Sequence, residues 1–251
     1  MNKGIGSFIK TTLLDFPGRV SCTVFLKGCN LYCPYCYNLN LVKPELMLNS
    51  PDIPLEEVFE HLERRKNVLT GITVSGGEAL LNPLCKKIII KAHELNYLVK
   101  LDTNGTVPSK LEELLKSRET SPDYIAMDLK TDPENYSLLL PSATQKKLTP
   151  EQKEITNKTL YSNLKKSVDL ISSFPADKRE WRTVLVPSLV DESSIKKIAS
   201  FLPADSRLFL SEFQNGSCIN PDFNSISPFT KENTEKLLQA AKNILPGTEL
   251  R

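Results

Sequence analysis

Cys29-Asn30-Leu31-Tyr32-Cys33-Pro34-Tyr35-Cys36 is the stretch that decides how this chain is read. Three of its six cysteines fall within these eight residues, spaced C-x3-C-x2-C. Thiolates this close can all ligate one metal centre. The run follows an apolar, β-branched segment, Val20 to Leu26, and a Lys27-Gly28 break. The sulfurs therefore belong to a loop leaving the end of a strand. A cubane [4Fe–4S] cluster usually takes four cysteines. Three leave one iron without a protein ligand, and chemistry happens at open coordination positions, as catalytic zinc sites differ from closed structural ones. Histidine competes little, since only His61 and His93 occur and both are distant in sequence. The competing reading is a zinc knuckle completed by Cys22, Cys85 or Cys218, but zinc sites usually come as paired units and no second pair exists here.

A chain of 251 residues suits one barrel-sized domain or two small ones. The expectation is one domain over 1–251, with 131–160 an insertion or variable segment and 216–251 a C-terminal loop and helix. A net charge of +2 points to neither nucleic acid nor membrane as a partner. Met1 to Phe16 has no apolar core of the signal-peptide kind, and no apolar run is long enough to span a bilayer. Six cysteines clustered this unevenly do not make a disulfide framework. A reduced, cytoplasmic protein is expected.

Leu13-Leu14-Asp15-Phe16-Pro17-Gly18 reads as a turn before the first strand, Val20 to Leu26, in which Cys22 is a small core residue. A helix follows from about Leu55 to Lys66. Further strands are expected at Gly71–Ser75, Tyr97–Leu101, Tyr124–Met127, Trp181–Val186 and Arg207–Leu210. Helices are expected at Pro83–Asn96, Ser109–Lys116, from Thr149 to Phe174, Asp191–Phe201 and Thr230–Leu245. Thr149 with Gln152 makes a capping-box pattern. The lysine-rich stretch around it reads as a solvated helix face. Alternating strands and helices imply a parallel sheet with right-handed crossovers. Six units fit an open, partial (β/α)6 barrel of the TIM type; the alternative is a doubly wound sheet.

In both architectures active sites form at the carboxyl ends of the strands. Chemically suggestive residues collect there: the three cysteines after strand one, Gly76-Gly77-Glu78 after strand two, Asp102-Thr103 after strand three, and Asp128 with Lys130 after strand four. Arg182 breaks the pattern, lying near the start of strand five. Gly76-Gly77 lets backbone approach a ligand closely, or simply makes a tight turn. Glu78 offers negative charge to an ammonium. Asp128 suits a hydrogen bond to a ribose hydroxyl, and Lys130 suits a carboxylate. Each charged residue alone is also an ordinary surface group.

The cysteine spacing resembles the radical S-adenosylmethionine (SAM) superfamily signature, C-x3-C-x-aromatic-C, with Tyr35 at the aromatic position. The resemblance implies the partial barrel, a [4Fe–4S] cluster on Cys29, Cys33 and Cys36, and SAM bound at the open iron. Gly76, Gly77 and Glu78 resemble the motif that receives the SAM ammonium. More closely, Asp15-Phe16-Pro17-Gly18, Phe25, Gly28-Cys29-Asn30 and Asn38 are similar to the opening of anaerobic ribonucleoside-triphosphate reductase activating proteins, which are glycyl-radical enzyme activases. Ser75 to Glu78, Asp102-Thr103-Asn104-Gly105, Met127-Asp128-Leu129-Lys130 and Arg182-Thr183-Val184 continue the likeness over roughly residues 12 to 215. By that likeness Asp102, Thr103 and the Met127 carbonyl surround a monovalent cation near the SAM carboxylate, and Asp128 and Lys130 contact SAM. The chain departs from the pattern at Ala79, where proline is common, at residues 131 to 160, and at Glu212-Phe213-Gln214, where some activases place a histidine.

The implied chemistry is cleavage of SAM to methionine and a 5′-deoxyadenosyl radical, using an electron from a flavodoxin- or ferredoxin-like donor. In an activase this radical takes the α-hydrogen of a glycine in a glycyl-radical enzyme, here one like anaerobic ribonucleotide reductase. Two other functions compete: radical chemistry on a small molecule or peptide, as in 7-carboxy-7-deazaguanine synthase, and a non-catalytic metal-holding scaffold.

Overall fold

A computed structural model describes residues 4–251; Met1–Lys3, the start of the segment read as lacking a signal-peptide core, lie outside the described residues. Eight strands occur among the described residues: β1 (Ile5–Thr12), β2 (Ser21–Leu26), β3 (Gly71–Gly76), β4 (Leu98–Thr103), β5 (Tyr124–Asp128), β6 (Arg179–Leu185), β7 (Leu208–Glu212) and β8 (Thr248–Leu250). The helices are α1 (Leu39–Val42), α2 (Pro44–Asn49), α3 (Leu55–Arg64), α4 (Leu84–Glu94), α5 (Pro108–Leu115), α6 (Ser142–Gln145), α7 (Pro150–Ser172), α8 (Glu192–Phe201) and α9 (Lys231–Lys242). Strand order in the sheet repeats chain order. A doubly wound sheet reverses direction at a switch point, so the sequential order excludes that alternative and leaves the barrel type. Among the described residues no helix is long and apolar enough to cross a membrane.

The chain forms two compact units. One takes residues through Asn30, Asn38–Thr103 and Ser109–Ala126; the other takes Leu31–Tyr37, Asn104–Pro108 and Met127–Arg251. In the first, β1 runs antiparallel to β2, and β2, β3 and β4 are parallel, with Leu26 paired to Gly76 and Val74 to Leu101. Val24, Leu26, Ile72, Val74, Val99 and Leu101 are fully buried, the near-continuous apolar composition of strands covered on both faces. The apolar stripe of α3 buries Val58 and Leu62. Cys22 and Cys85 are buried and act as small core residues. In the second unit β6, β7 and β8 are parallel. The capping box of α7 is formed: Gln152 N donates to Thr149 Oγ1 at 3.2 Å, and Thr149 N donates to Gln152 Oε1 at 3.0 Å. Asp191 caps α8 from outside rather than beginning it.

The connection from α4 to β5 carries a titrating clamp. His93 on α4 sets Nδ1 2.9 Å from the Glu119 carbonyl and Nε2 3.1 Å from Asp123 Oδ2, which also accepts from Val99 N at 2.8 Å. Both ring nitrogens face acceptors, so only the imidazolium satisfies both. The Asp123 hydrogen bond raises the His93 pKa, with burial opposing it. A raised folded-state value stabilises below the unfolded value of about 6.5, and the stabilisation fades as pH rises through the folded value. In urea unfolding, the wild type should therefore exceed His93→Gln by about 0.5–1 kcal/mol near pH 5.5, and by less near pH 8. A difference that stays constant between those pH values refutes the clamp.

Candidate active site

The cysteine loop starts from a strand end that is fixed on several sides. Lys27, the first residue after β2, is almost fully buried. Its ammonium donates to the carbonyls of Met47 at 3.0 Å and Ser50 at 2.7 Å and pairs with Asp52 at 2.7 Å. A buried cation costs several kcal/mol unless it is paired and hydrogen-bonded, and Lys27 is both. Gly28 N donates to the Leu41 carbonyl at 2.8 Å, and the Asn82 amide donates to the Lys27 carbonyl at 3.1 Å. The short helices α1 and α2, absent from the sequence reading, thus carry the acceptors that hold Lys27 and Gly28.

The Gly76-Gly77 pair has a specific steric cause. Gly76 has φ +133°, and a Cβ there would overlap the Leu26 backbone; at Gly77 it would overlap the Gly28 carbonyl and lie 3.1 Å from Cys29 Cβ. Both glycines let β3 run past the end of β2. Gly77 N donates to the Leu26 carbonyl at 3.0 Å, and Glu78 N donates to the Gly28 carbonyl at 2.8 Å. The space that the sequence reading reserved for a ligand is, on this side of the glycines, filled by the backbone leading into Cys29. Glu78 is fully buried, with Oε1 accepting from Leu80 N at 3.2 Å and from the Thr103 hydroxyl at 2.9 Å. Asp102 takes the Lys100 ammonium on Oδ1 at 2.7 Å and the Ser75 hydroxyl on Oδ2 at 2.9 Å.

In the second unit the loop residues Cys33, Tyr35 and Cys36 lie beside a charged group. Cys33 and Tyr35 are buried and Cys36 is half-buried. Cys36 N donates to the Cys33 carbonyl at 3.0 Å, closing a turn between the two thiols. Tyr32 N is held by the Leu139 carbonyl at 2.7 Å. The distant loop after β7 supplies two more donors, Ile219 N to the Cys36 carbonyl at 2.8 Å and Asn220 N to the Pro34 carbonyl at 3.0 Å. Asp128 accepts from Lys130 Nζ at 3.1 Å and from Arg182 Nε at 2.7 Å. Arg182 lies in the middle of β6, not at its start, and joins the strand-end residues through Asp128. The Tyr136 hydroxyl accepts from Lys130 N at 2.8 Å and donates to the Asp128 backbone carbonyl at 3.5 Å.

The electrostatics follow from that arrangement. Burial pushes the Asp128 carboxyl up, but Arg182 and Lys130 outweigh it and hold the group well below the usual carboxylate range. Burial pulls Lys130 down, while Asp128 more than restores it, so the ammonium stays charged. Burial raises the Cys33 thiol to about 12, with Lys130 opposing. A thiol so placed becomes a thiolate when a metal replaces its proton.

Among the described residues no three His, Cys, Asp or Glu side chains converge as ligands of a single metal ion. Among the described residues nothing gathers His61, Cys22 or Cys85 into a zinc site: His61 Nε2 lies 2.8 Å from the Lys10 carbonyl, and both cysteines are buried in the core of the first unit. Cys218 is buried next to Ile219, whose N–H meets the Cys36 carbonyl, so it lies beside the loop in space. The donors at the loop are thiols alone, the soft set that suits iron–sulfur clusters, and a cationic Lys130 beside Cys33 favours the thiolate form. In chemistry the residues fit a cluster. Lys27, Lys100, Asn82 and the Ile219-Asn220 strap were missed in sequence. Only Lys100 left a signal, two residues before Asp102 and so on the same strand face.

The Radical SAM superfamily model matches residues 23–182. A Methanocaldococcus jannaschii protein, provisionally named as a glycyl-radical enzyme activating enzyme, is 29% identical over 98% of this chain and 95% of its own length. The pyruvate formate-lyase-activating enzyme of Clostridium pasteurianum is 29% identical over 76% of this chain and 72% of its own. Among solved structures, TYW1 with a lysine-pyruvate adduct bound superposes with a TM-score of 0.56 at 14% identity, covering 90% of this chain and 73% of that one; this is a likeness of fold.

The glycine contacts make a direct prediction. Gly77→Val must displace the backbone at Gly28 and Cys29, so it should destabilise the chain by about 1–3 kcal/mol in urea and also lower the iron bound after anaerobic reconstitution. Wild-type stability with wild-type iron content would remove the proposed steric role. Cys29→Ala, Cys33→Ala and Cys36→Ala should each abolish the absorbance near about 400 nm expected of thiolate-bound clusters. Cys22→Ala and Cys85→Ala should keep it, and full iron in all three loop variants would exclude the loop as the cluster site.

Proposed function

The chain belongs to the radical SAM superfamily and is an enzyme of that chemistry, and from this we propose that it activates a glycyl-radical enzyme. The observation that carries the reading is the likeness to a protein named for that activity along nearly the whole of both chains. An anaerobic ribonucleotide reductase is the proposed partner, a flavodoxin- or ferredoxin-like protein the proposed donor, and the cytoplasm the proposed location. Cys29, Cys33 and Cys36 would hold the [4Fe–4S] cluster. When bound, the cluster and SAM supply one-electron cleavage of SAM and, from it, hydrogen-atom abstraction.

The chain's own residues bind and orient. Gly76 and Gly77 fix the approach of β3 to the loop, and Glu78 offers a buried carboxylate to the SAM ammonium. Tyr35 is buried beside Cys33. Asp128, kept ionised by Arg182 and Lys130, accepts from a ribose hydroxyl, while Lys130 keeps a positive charge for a carboxylate. Arg182 is a positioning residue, acting through Asp128. Asp102 and Thr103 complete the binding residues. In anaerobic incubation with SAM, a reductant and the candidate reductase, electron paramagnetic resonance should show a glycyl-radical doublet on the partner, with about one methionine formed per radical. Catalytic consumption of SAM with a small substrate, and no partner radical, would overturn the activase reading in favour of small-molecule chemistry.

A further inference from the structure

The Asp102 carboxylate is the group that a bound monovalent cation would need, and in this chain it is already met by one. Lys100 and Asp102 are two residues apart on β4, so their side chains share a face of the sheet. Lys100 is only 2% exposed. Its ammonium lies 2.7 Å from Asp102 Oδ1. The other carboxylate oxygen accepts from the Ser75 hydroxyl at 2.9 Å, and the Thr103 hydroxyl is turned to Glu78 Oε1 at 2.9 Å. The Asp102 carboxylate and the Thr103 hydroxyl, two of the three groups expected around a free cation, are therefore engaged by the chain itself. A Na+ or K+ ion placed against Asp102 would meet a like charge in a buried setting, where repulsion is weakly screened.

We propose that the Lys100 ammonium is a built-in monovalent cation, held against Asp102 in place of a bound Na+ or K+, so that this chain needs neither. A lysine ammonium is a compact point charge, and it carries the same charge as the ion it replaces. Unlike an ion it is tethered, and its occupancy does not depend on salt composition. A second observation bears on what could bind an ion if the lysine were shortened. Thr73 pairs with Lys100 across the β3–β4 ladder, and its buried hydroxyl has no hydrogen-bond partner among the described residues. Thr73, Ser75 and Asp102 would then offer two hydroxyls and a carboxylate, all oxygen donors of the kind that hard cations take. The inference rests on superfamily membership and the Lys100–Asp102 contact; it is independent of which partner receives the radical.

The test is SAM binding to the anaerobically reconstituted holoenzyme by calorimetry, with thermal unfolding in parallel. Both are run in choline chloride and in KCl at equal ionic strength. The wild type should bind SAM equally in the two salts, within about twofold, whereas Lys100→Ala should bind about tenfold more weakly in choline chloride and recover in KCl. Its unfolding midpoint should rise with KCl while that of the wild type does not. A wild-type affinity that climbs about tenfold with KCl would overturn the proposal, as would a folded Lys100→Ala variant indifferent to KCl in both measurements. If Lys100→Ala does not fold, the wild-type comparison decides alone. Absence of a glycyl radical on any partner would leave these binding data unchanged, so the two readings fail separately.

Discussion

The close approach of β3 to the exit of β2 is the constraint on which the rest of the site depends. Two backbone hydrogen bonds, Gly77 N to Leu26 O and Glu78 N to Gly28 O, extend the parallel ladder beyond the last paired residues. They form only because positions 76 and 77 have no side chain. One contact thus sets two things at once: where the chain leaves β2 toward Cys29, and where Glu78 is delivered into the core. Lys27 and Asn82 brace the same backbone from either side. The glycine pair is a structural part of the cysteine loop as much as a surface for a ligand.

Buried charge is handled in three ways in this molecule. Lys27 is neutralised by backbone carbonyls and an acid at the edge, and nothing about it bears on chemistry beyond its grip on the loop. Lys100 meets a carboxylate on its own strand, that of Asp102. Asp128 is shared between Lys130 and Arg182, and Arg182 in turn reaches the buried Glu180 at 4.0 Å, so the charges beside the cysteines of that unit form a chain of pairs. An unpaired buried charge costs several kcal/mol, and Asp128 and Lys130 hold each other in their ionised forms. Removing either cation from Asp128 changes the charge at the site without removing the carboxylate.

The six central strands were legible because each is a short β-branched or apolar run bounded by turn residues, as in Ser21–Leu26 and Gly71–Gly76. β1 was missed since Gly4, Gly6, Lys10 and the threonines break its pattern; as an antiparallel strand it alternates buried and exposed positions weakly. β8 has three residues, and its backbone pairing comes from β7 rather than from its own propensity. The short helices α1 and α2 were missed because four to six residues carry too little periodicity to read. At the site, the residue types were legible and their pairings were not. Arg182 looked misplaced because its partner, Asp128, is 54 positions away in the chain. The hydrogen bonds from Ile219 and Asn220 had no sequence signal, since backbone donors are the same in every residue.

That strap bears on the order in which the molecule can be made. The carbonyls of Pro34 and Cys36 receive their donors from residues 219 and 220, which leave the ribosome roughly 180 residues later, about 10–40 s at ordinary translation speed. Throughout that interval the cysteine loop is present without its C-terminal brace. The hydrogen bonds that the finished protein shows at Pro34 and Cys36 are available only after residues 219 and 220 have been made, so the loop takes its final geometry late relative to its own synthesis.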